Sequence, residues 1–393
     1  MFSNYFEPLT EDFVSFQSQL NKNQLGHKLN YYCNESFPEI DTADIAFIFV
    51  PDNRGANTLN NDTGSYLELR KSFYRLFKGN WGFKMLDFGN LKLGNDVKDT
   101  YFALTDIVSN LLSQSVFPII IGGSNDLVYP VYRAYESFSR GVNLLCVDSK
   151  FDLIDEDSLK ISSRNFVGHI IKQDPNHLSN FINLGYQSYL CQNDESHLLE
   201  KMLFESCRLG DIRDNIKEAE PYMRNADLVS FDLSAIKQSD APGTSQPSPN
   251  GLEAHHSCAI SRYAGVSDRV SSFGIFELDA SKDSTNQTLN LISQIIWYFL
   301  EGFSLRANDY PSFKTINVNY QKYFIPIRES DLQFVFYKSK ITGRWWVSSC
   351  MEFDKETNYK EQITPCSYED YLNTLSGDIP KRVYRVLKNL SSQ

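Results

Sequence analysis

Leu144-Leu145-Cys146-Val147-Asp148-Ser149-Lys150-Phe151-Asp152 reads as a short buried strand that ends in two carboxylates, four residues apart, with a lysine between them. An unbroken apolar run is what a parallel strand needs when helices cover both of its faces. In open α/β sheets, ligands gather outside the carboxyl ends of such strands. Asp148, Lys150 and Asp152 therefore stand where a site is expected, and the rest of the chain can be tested against that expectation.

Strands of the same kind recur on both sides of it. Ala43 to Pro51, Phe83 to Phe88, Val116 to Ile121, Ala226 to Asp232 and Ser271 to Phe276 are apolar runs of strand length. Helical apolar spacing marks Tyr66 to Phe77, Tyr101 to Leu112, about 252–264 and Thr288 to Leu305. Phe181 to Gly185 and Tyr189 to Cys191 read as short strands around turns. Strands alternating with helices predict a doubly wound, mostly parallel sheet with helices on both faces, a three-layer α/β/α fold. From about residue 314 the pattern changes. Tyr323 to Ile327, Leu332 to Tyr337 and Arg344 to Ser348 are short and aromatic, which predicts an antiparallel meander. A polar helix pair follows, Ser367 to Leu375 and a second begun by Asp378-Ile379-Pro380. The expected division is an N-terminal extension over 1–42, an α/β domain over 43–313 and a C-terminal extension over 314–393.

Composition narrows the partners. The chain of 393 residues is 41% apolar and 22% charged, ordinary for a globular protein with a sizeable core. A net charge of -11 argues against nucleic acid or an anionic membrane as the main partner. The seven cysteines contain no Cys-x-x-Cys pair, so buried reduced thiols are expected rather than a disulfide framework or zinc site. No basic-then-apolar leader opens the chain, and no apolar run reaches the roughly 20 residues of a membrane helix. A cytoplasmic location is expected.

Four strand ends present polar groups: Asn125 in Gly122-Gly123-Ser124-Asn125-Asp126, then Asp148 with Asp152, then Asp232, then Glu277. Their order and spacing resemble the manganese-dependent ureohydrolases, the arginase/agmatinase/formimidoylglutamase family, and the formimidoylglutamase branch most of all. That family's Gly-Gly-Asp-His-Ser is similar to 122–126. Its Asp-Ala-His-x-Asp is similar to Asp148-Ser149-Lys150-Phe151-Asp152. Its Ser-x-Asp-x-Asp is similar to Ser230-Phe231-Asp232-Leu233-Ser234. Ala241-Pro242-Gly243-Thr244, Gly251-Leu252 and Glu277-Leu278-Asp279-Ala280 extend the match, which spans roughly 44–305.

The resemblance implies six metal ligands around two Mn2+ ions that activate water for attack on an amidine carbon. Asp148, Asp152 and Asp232 match the family ligands, whereas Asn125 and Lys150 stand at its histidine positions and Ser234 at an aspartate position. Asn125, Asp148, Asp152 and Asp232 still form an oxygen donor set suited to at most one hard cation, Mn2+, Mg2+ or Ca2+. The second position would need Lys150, whose ammonium has no lone pair. Lys150 is instead expected to replace an ion by salt-bridging Asp148 and Asp232, in a network that needs no cofactor. The implied function is a degenerate, inactive ureohydrolase fold with a binding, scaffolding or regulatory role, working with a protein partner or as a homo-oligomer. The alternative is an active formimidoylglutamase-type hydrolase of non-peptide C–N bonds in linear amidines, using one metal. A third is a small-molecule binder that uses Glu277, which in the family holds the substrate's cationic amidine.

The remaining candidates have simpler expectations. Asn53 and Arg54 are expected to be an exposed loop pair rather than ligand contacts, and the polar loop that follows them to Gly64 is the candidate overhang of the site. His169 and His177 fall where the family has substrate loops. Trp345-Trp346 reads as packing rather than a platform, and 242–249 as a rigid connector.

Overall fold

The computed structural model describes residues 2–34, 36–41, 43–56, 63–138, 141–153, 160–312, 314–327, 333–349 and 363–391. Its body is a single sheet of ten strands: β1 Phe6–Glu7, β2 Asn30–Tyr31, β3 Ile45–Val50, β4 Met85–Leu91, β5 Phe117–Gly122, β6 Val142–Val147, β7 Leu178–Tyr186, β8 Glu205–Arg208, β9 Leu228–Asp232 and β10 Ser272–Phe276. The order across the sheet is β1-β4-β3-β5-β10-β9-β6-β7-β8, with β2 also on β4. Every pairing is parallel except β1 with β4.

The apolar runs are explained by what covers them. On β3, Ile45, Phe47 and Phe49 enter the core on one face, and Ala46, Ile48 and Val50 enter the core on the other. Helices Thr63–Arg75, Ala219–Asn225, Ala254–Val266 and Gln287–Phe303 cover the first face. Val97–Ser113, Val128–Arg133 and Phe166–Lys172 cover the second. The expected doubly wound α/β/α architecture is the one observed.

Residues 1–42 are more than an appendage, because β1 and β2 extend the sheet beside β4. Two further departures concern the middle of the chain. β7 runs unbroken over nine residues, and Ser188–Leu190 is a 3-10 turn rather than a strand. Exposed Tyr189 and Leu190 supply the strand-like composition there. Edge strand β8 and helix Asn193–Lys201, both polar, also lie in the region whose sequence pattern is weakest.

The C-terminal part forms its own antiparallel sheet of β11 Tyr320–Pro326, β12 Gln333–Ser339, β13 Trp345–Ser349 and β14 Thr364–Cys366, in that order. Helices Tyr368–Ser376 and Lys381–Ser391 accompany it. The expected meander is therefore present, with a fourth strand. Arg224 joins this sheet to the main body. Its guanidinium donates to the carbonyls of Trp345 and Cys366, both at 2.9 Å, and lies 4.5 Å from the Trp346 ring centre. Trp345 and Trp346 are both buried, so the pair is packing. No described helix is long and apolar enough to cross a membrane.

Candidate metal centre

The four strands whose ends carry polar groups are neighbours in space, in the order β5-β10-β9-β6. Parallel pairing brings their carboxyl ends to one edge. Phe276 is level with Asp232, and Ser230 is level with both Gly274 and Cys146. The turn after β5 passes so close to the turn after β3 that a Cβ on Gly123 would sit 2.1 Å from the Asp52 carbonyl oxygen. Glycine is therefore required where Asn125 is delivered. Asp152 and Glu277 both adopt left-handed backbone conformations, with φ of 51° and 70°. For non-glycine residues this costs free energy, and such outliers concentrate at functional sites.

Asp148, Asp152 and Asp232 are buried, and one carboxylate oxygen from each lies within 4.8 Å of the others. Asn125 sits among them. Its Nδ2 is 3.3 Å from Asp148 Oδ2, 3.3 Å from Asp232 Oδ2 and 3.5 Å from Asp152 Oδ2. Its Oδ1 accepts from the Ser230 hydroxyl at 3.0 Å, and its backbone N–H donates to Glu277 Oε1 at 2.8 Å. The other Glu277 oxygen accepts from Ser245. Ser234 contributes its amide to Asp232 Oδ1 at 2.6 Å.

Lys150 does not make the expected salt bridge with Asp148 and Asp232. Its backbone is pinned: the amide donates to Asp148 Oδ1 at 2.9 Å and the carbonyl accepts from Asn183 at 2.6 Å. The side chain leaves toward the 241–249 loop, where its ammonium meets the Gln246 side-chain oxygen. The Asn125 amide, not the lysine, occupies the space among the carboxylates. Lys150 still acts through space, favouring the ionised forms of Asp152 and Asp232.

Burial, followed by the charges of Asp152 and Asp232, pushes Asp148 well above the ordinary carboxylate range. Asp152 and Asp232 are raised as well, again chiefly by burial. Glu277 is raised by burial and then by Asp232, against the pull of the Ser245 and Asn125 bonds. Clustered buried carboxyls without paired cations hold protons or take up a cation. Three hard oxygen donors with an amide beside them suit one Mg2+, Ca2+ or Mn2+. The network, expected to need no cofactor or at most one divalent ion, therefore has the donor chemistry of a single-cation site.

Asn53 is buried against Gly123, in the turn that delivers Asn125, rather than exposed. Arg54 is held by Asp52 in an ion pair of 2.6 Å and by the Gly94 carbonyl, Asn95 carbonyl and Thr100 hydroxyl. The loop residues 57–62 fall outside the described residues, so the proposed overhang is not among them. His169 is on helix Phe166–Lys172, and the backbone of His177 bonds to Tyr132, so neither belongs to the carboxylate cluster. A second group of potential ligands, Glu253, His255 and His256, lies at the start of helix Ala254–Val266. There Glu253 already pairs with Lys237 at 3.2 Å, and His256 Nδ1 accepts from the Glu253 amide. Sequence reasoning does not single out Ser230, Ser245, Gln246 or Asn183. Ser230 was within reach, because it heads the third motif.

The arginase family model matches residues 64–301. Formimidoylglutamase from Staphylococcus haemolyticus is 26% identical over 230 residues, 55% of this chain and 71% of that protein. The Lysinibacillus sphaericus formimidoylglutamase is 25% identical over 228 residues, 54% of this chain and 69% of that one. Among solved structures, Trypanosoma cruzi formiminoglutamase with Mn2+ superposes with a TM-score of 0.62 at 21% identity, covering 69% of this chain and 100% of that chain. Bacillus subtilis formimidoylglutamase gives 0.62 at 18% identity, covering 71% and 91%. At these identities the superpositions establish the fold.

Proposed function

The chain belongs to the arginase family, and on that footing we propose that it is a formimidoylglutamase-like protein that holds one hard divalent cation and binds a ligand without two-metal hydrolysis. The observation that carries this reading is the donor set. Asp148, Asp152 and Asp232 converge with the Asn125 amide on one small space, and among the described residues no second set of His, Cys, Asp or Glu ligands stands beside them. When bound, a divalent cation there would offset the buried carboxylates and polarise a ligand atom. Lys150 and Ser234 stand at the positions that a second ion would need. Neither a protonated ammonium nor a neutral hydroxyl substitutes for an imidazole and a carboxylate.

The chain's own residues are suited to holding a ligand. Glu277 offers a buried carboxyl beside the cluster, steadied by Ser245 and by the Asn125 amide, where a cationic amidine group fits. Lys150 and Gln246 tie the 241–249 loop over the same strand ends. A protein built this way serves a binding, scaffolding or regulatory role.

One observation favours a second reading, an active hydrolase of linear amidine C–N bonds on a single metal. Glu277 is 3% exposed and held in a left-handed backbone conformation, and such strained, buried polar residues concentrate at functional sites. The test is an assay of the Mn2+-loaded protein on formiminoglutamate, arginine and agmatine, beside the triple variant Asn125→His, Lys150→His and Ser234→Asp. The leading reading expects no turnover by the natural protein and greater metal uptake by the variant. Turnover by the natural protein supports the second reading instead.

A further inference from the structure

We infer that Ser230 is a positioning residue for cation capture, because its hydroxyl allows the Asn125 amide to turn over and present its oxygen to the ion. This rests on the single-cation reading proposed above. As the side chain stands, the end facing the carboxylates is Nδ2, at 3.3, 3.3 and 3.5 Å from their oxygens. That orientation lets the amide donate to the carboxyl oxygens, which retain acceptor capacity whether or not one of the groups holds a proton. It is the wrong end for a metal. The amide nitrogen lone pair is delocalised, and hard cations take the carbonyl oxygen of an asparagine.

The oxygen faces Ser230 instead, accepting from its hydroxyl at 3.0 Å. A hydroxyl both donates and accepts, so it can serve either end of the amide. After a half-turn about the terminal torsion, Nδ2 donates to Ser230 Oγ and Oδ1 points into the cluster. This torsion is broad and roughly two-fold, which makes the turn accessible. The backbone need not move, because the Asn125 N–H is anchored on Glu277 Oε1 at 2.8 Å. One side chain thus cross-links the carboxylates without an ion and ligates the ion once it arrives. A histidine at this position would offer a ligand nitrogen without exchanging ends in this way.

The direction of a Ser230→Ala effect follows. Without the hydroxyl, the inward-NH2 state loses one bond to a carbonyl oxygen. The inward-oxygen state leaves a whole buried NH2 without an acceptor, and buried donors tolerate this less well. Cation affinity should therefore fall, by roughly tenfold for one unpaired buried group. Ser230→Thr keeps the hydroxyl and should restore most of it. In an Asn125→Asp background both outer atoms are oxygens and no turn is needed, so Ser230→Ala should change affinity far less.

The test uses the full chain with Mg2+ as a diamagnetic probe. The Asn125 side-chain amide signal is assigned by its absence in Asn125→Asp. On saturation the amide pair should shift and gain nuclear Overhauser contacts to the Ser230 β protons, and calorimetry should show the roughly tenfold loss in Ser230→Ala. Uptake of one Mg2+ with the Asn125 amide signals unmoved and Ser230→Ala at full affinity would overturn the switch while leaving the single-cation reading intact. Absence of any Mg2+ or Mn2+ uptake by the natural protein would overturn both.

Discussion

Replacing Lys150 with glutamine should make the carboxylate cluster bind a divalent cation more tightly. The ammonium makes no ion pair with Asp148, Asp152 or Asp232, yet its charge acts on Asp152 and Asp232. A unit charge repels a 2+ ion by roughly 8 kcal/mol at about 4 Å and an effective dielectric of about 20, and the turn of the ammonium toward Gln246 reduces this to roughly 2–5 kcal/mol. Lys150 is partly solvent-exposed, so the lower end of that range applies, about 2 kcal/mol or roughly 30-fold in affinity. Glutamine matches the lysine stem in part and keeps polar contact with Gln246, which limits other effects. Calorimetric titration of Mn2+ into metal-stripped protein at low salt measures the change directly. The gain should shrink as salt rises, and the stoichiometry should remain one. Unchanged or weaker binding in Lys150→Gln would refute the claim that this lysine disfavours ions at the site.

Asp232→Asn removes one of three crowded carboxylates, so it should abolish cation binding while raising the melting temperature of the metal-stripped protein; scanning calorimetry with and without Mn2+ checks both. Asp283→Ala should destabilise the fold by about 1–2 kcal/mol in urea titrations, because its carboxylate caps helix Gln287–Phe303 through the Gln287 and Thr288 amides at 3.0 and 2.6 Å. Burial alone would raise the Asp283 carboxyl, but the Thr288 and Gln287 bonds outweigh it and hold it below the usual range. Its stabilisation is therefore present above the ordinary carboxylate pKa and is lost as pH falls through the lowered value, and the Ala variant should lack that part of the acid sensitivity. Arg224→Ala should cost about 3 kcal/mol, since two buried carbonyls lose their guanidinium partner; increased proteolysis of the C-terminal sheet ahead of the main body would report it.

Much of the fold is legible because its central strands are covered on both faces. β3, β5, β6, β9 and β10 are buried along their whole length and so are apolar at most positions, and a long apolar run is the plainest signal a strand can carry. The edges lack that requirement. β1 and β2 are two residues each, and β8 buries only Cys207 of its four side chains, so periodicity has nothing to register. The site divides in the same way. Strand ends mark Asn125, Asp148, Asp152, Asp232 and Glu277, because residues just past an apolar run must emerge at one edge. The aim of Lys150 was not readable. It depends on Asn183 and Gln246, brought up by β7 and by a loop nearly a hundred residues away. The same holds for Asn125, whose orientation is set by three carboxylates from two other strand ends and by Ser230 within β9.

The number of divalent ions per chain tests the central claim most directly. Native mass spectrometry of the protein loaded with excess Mn2+ and then exchanged into volatile buffer should show one ion per chain, lost in Asp232→Asn. Two ions per chain would contradict the account, because Lys150 and Ser234 would then be compatible with the second position they are argued to close.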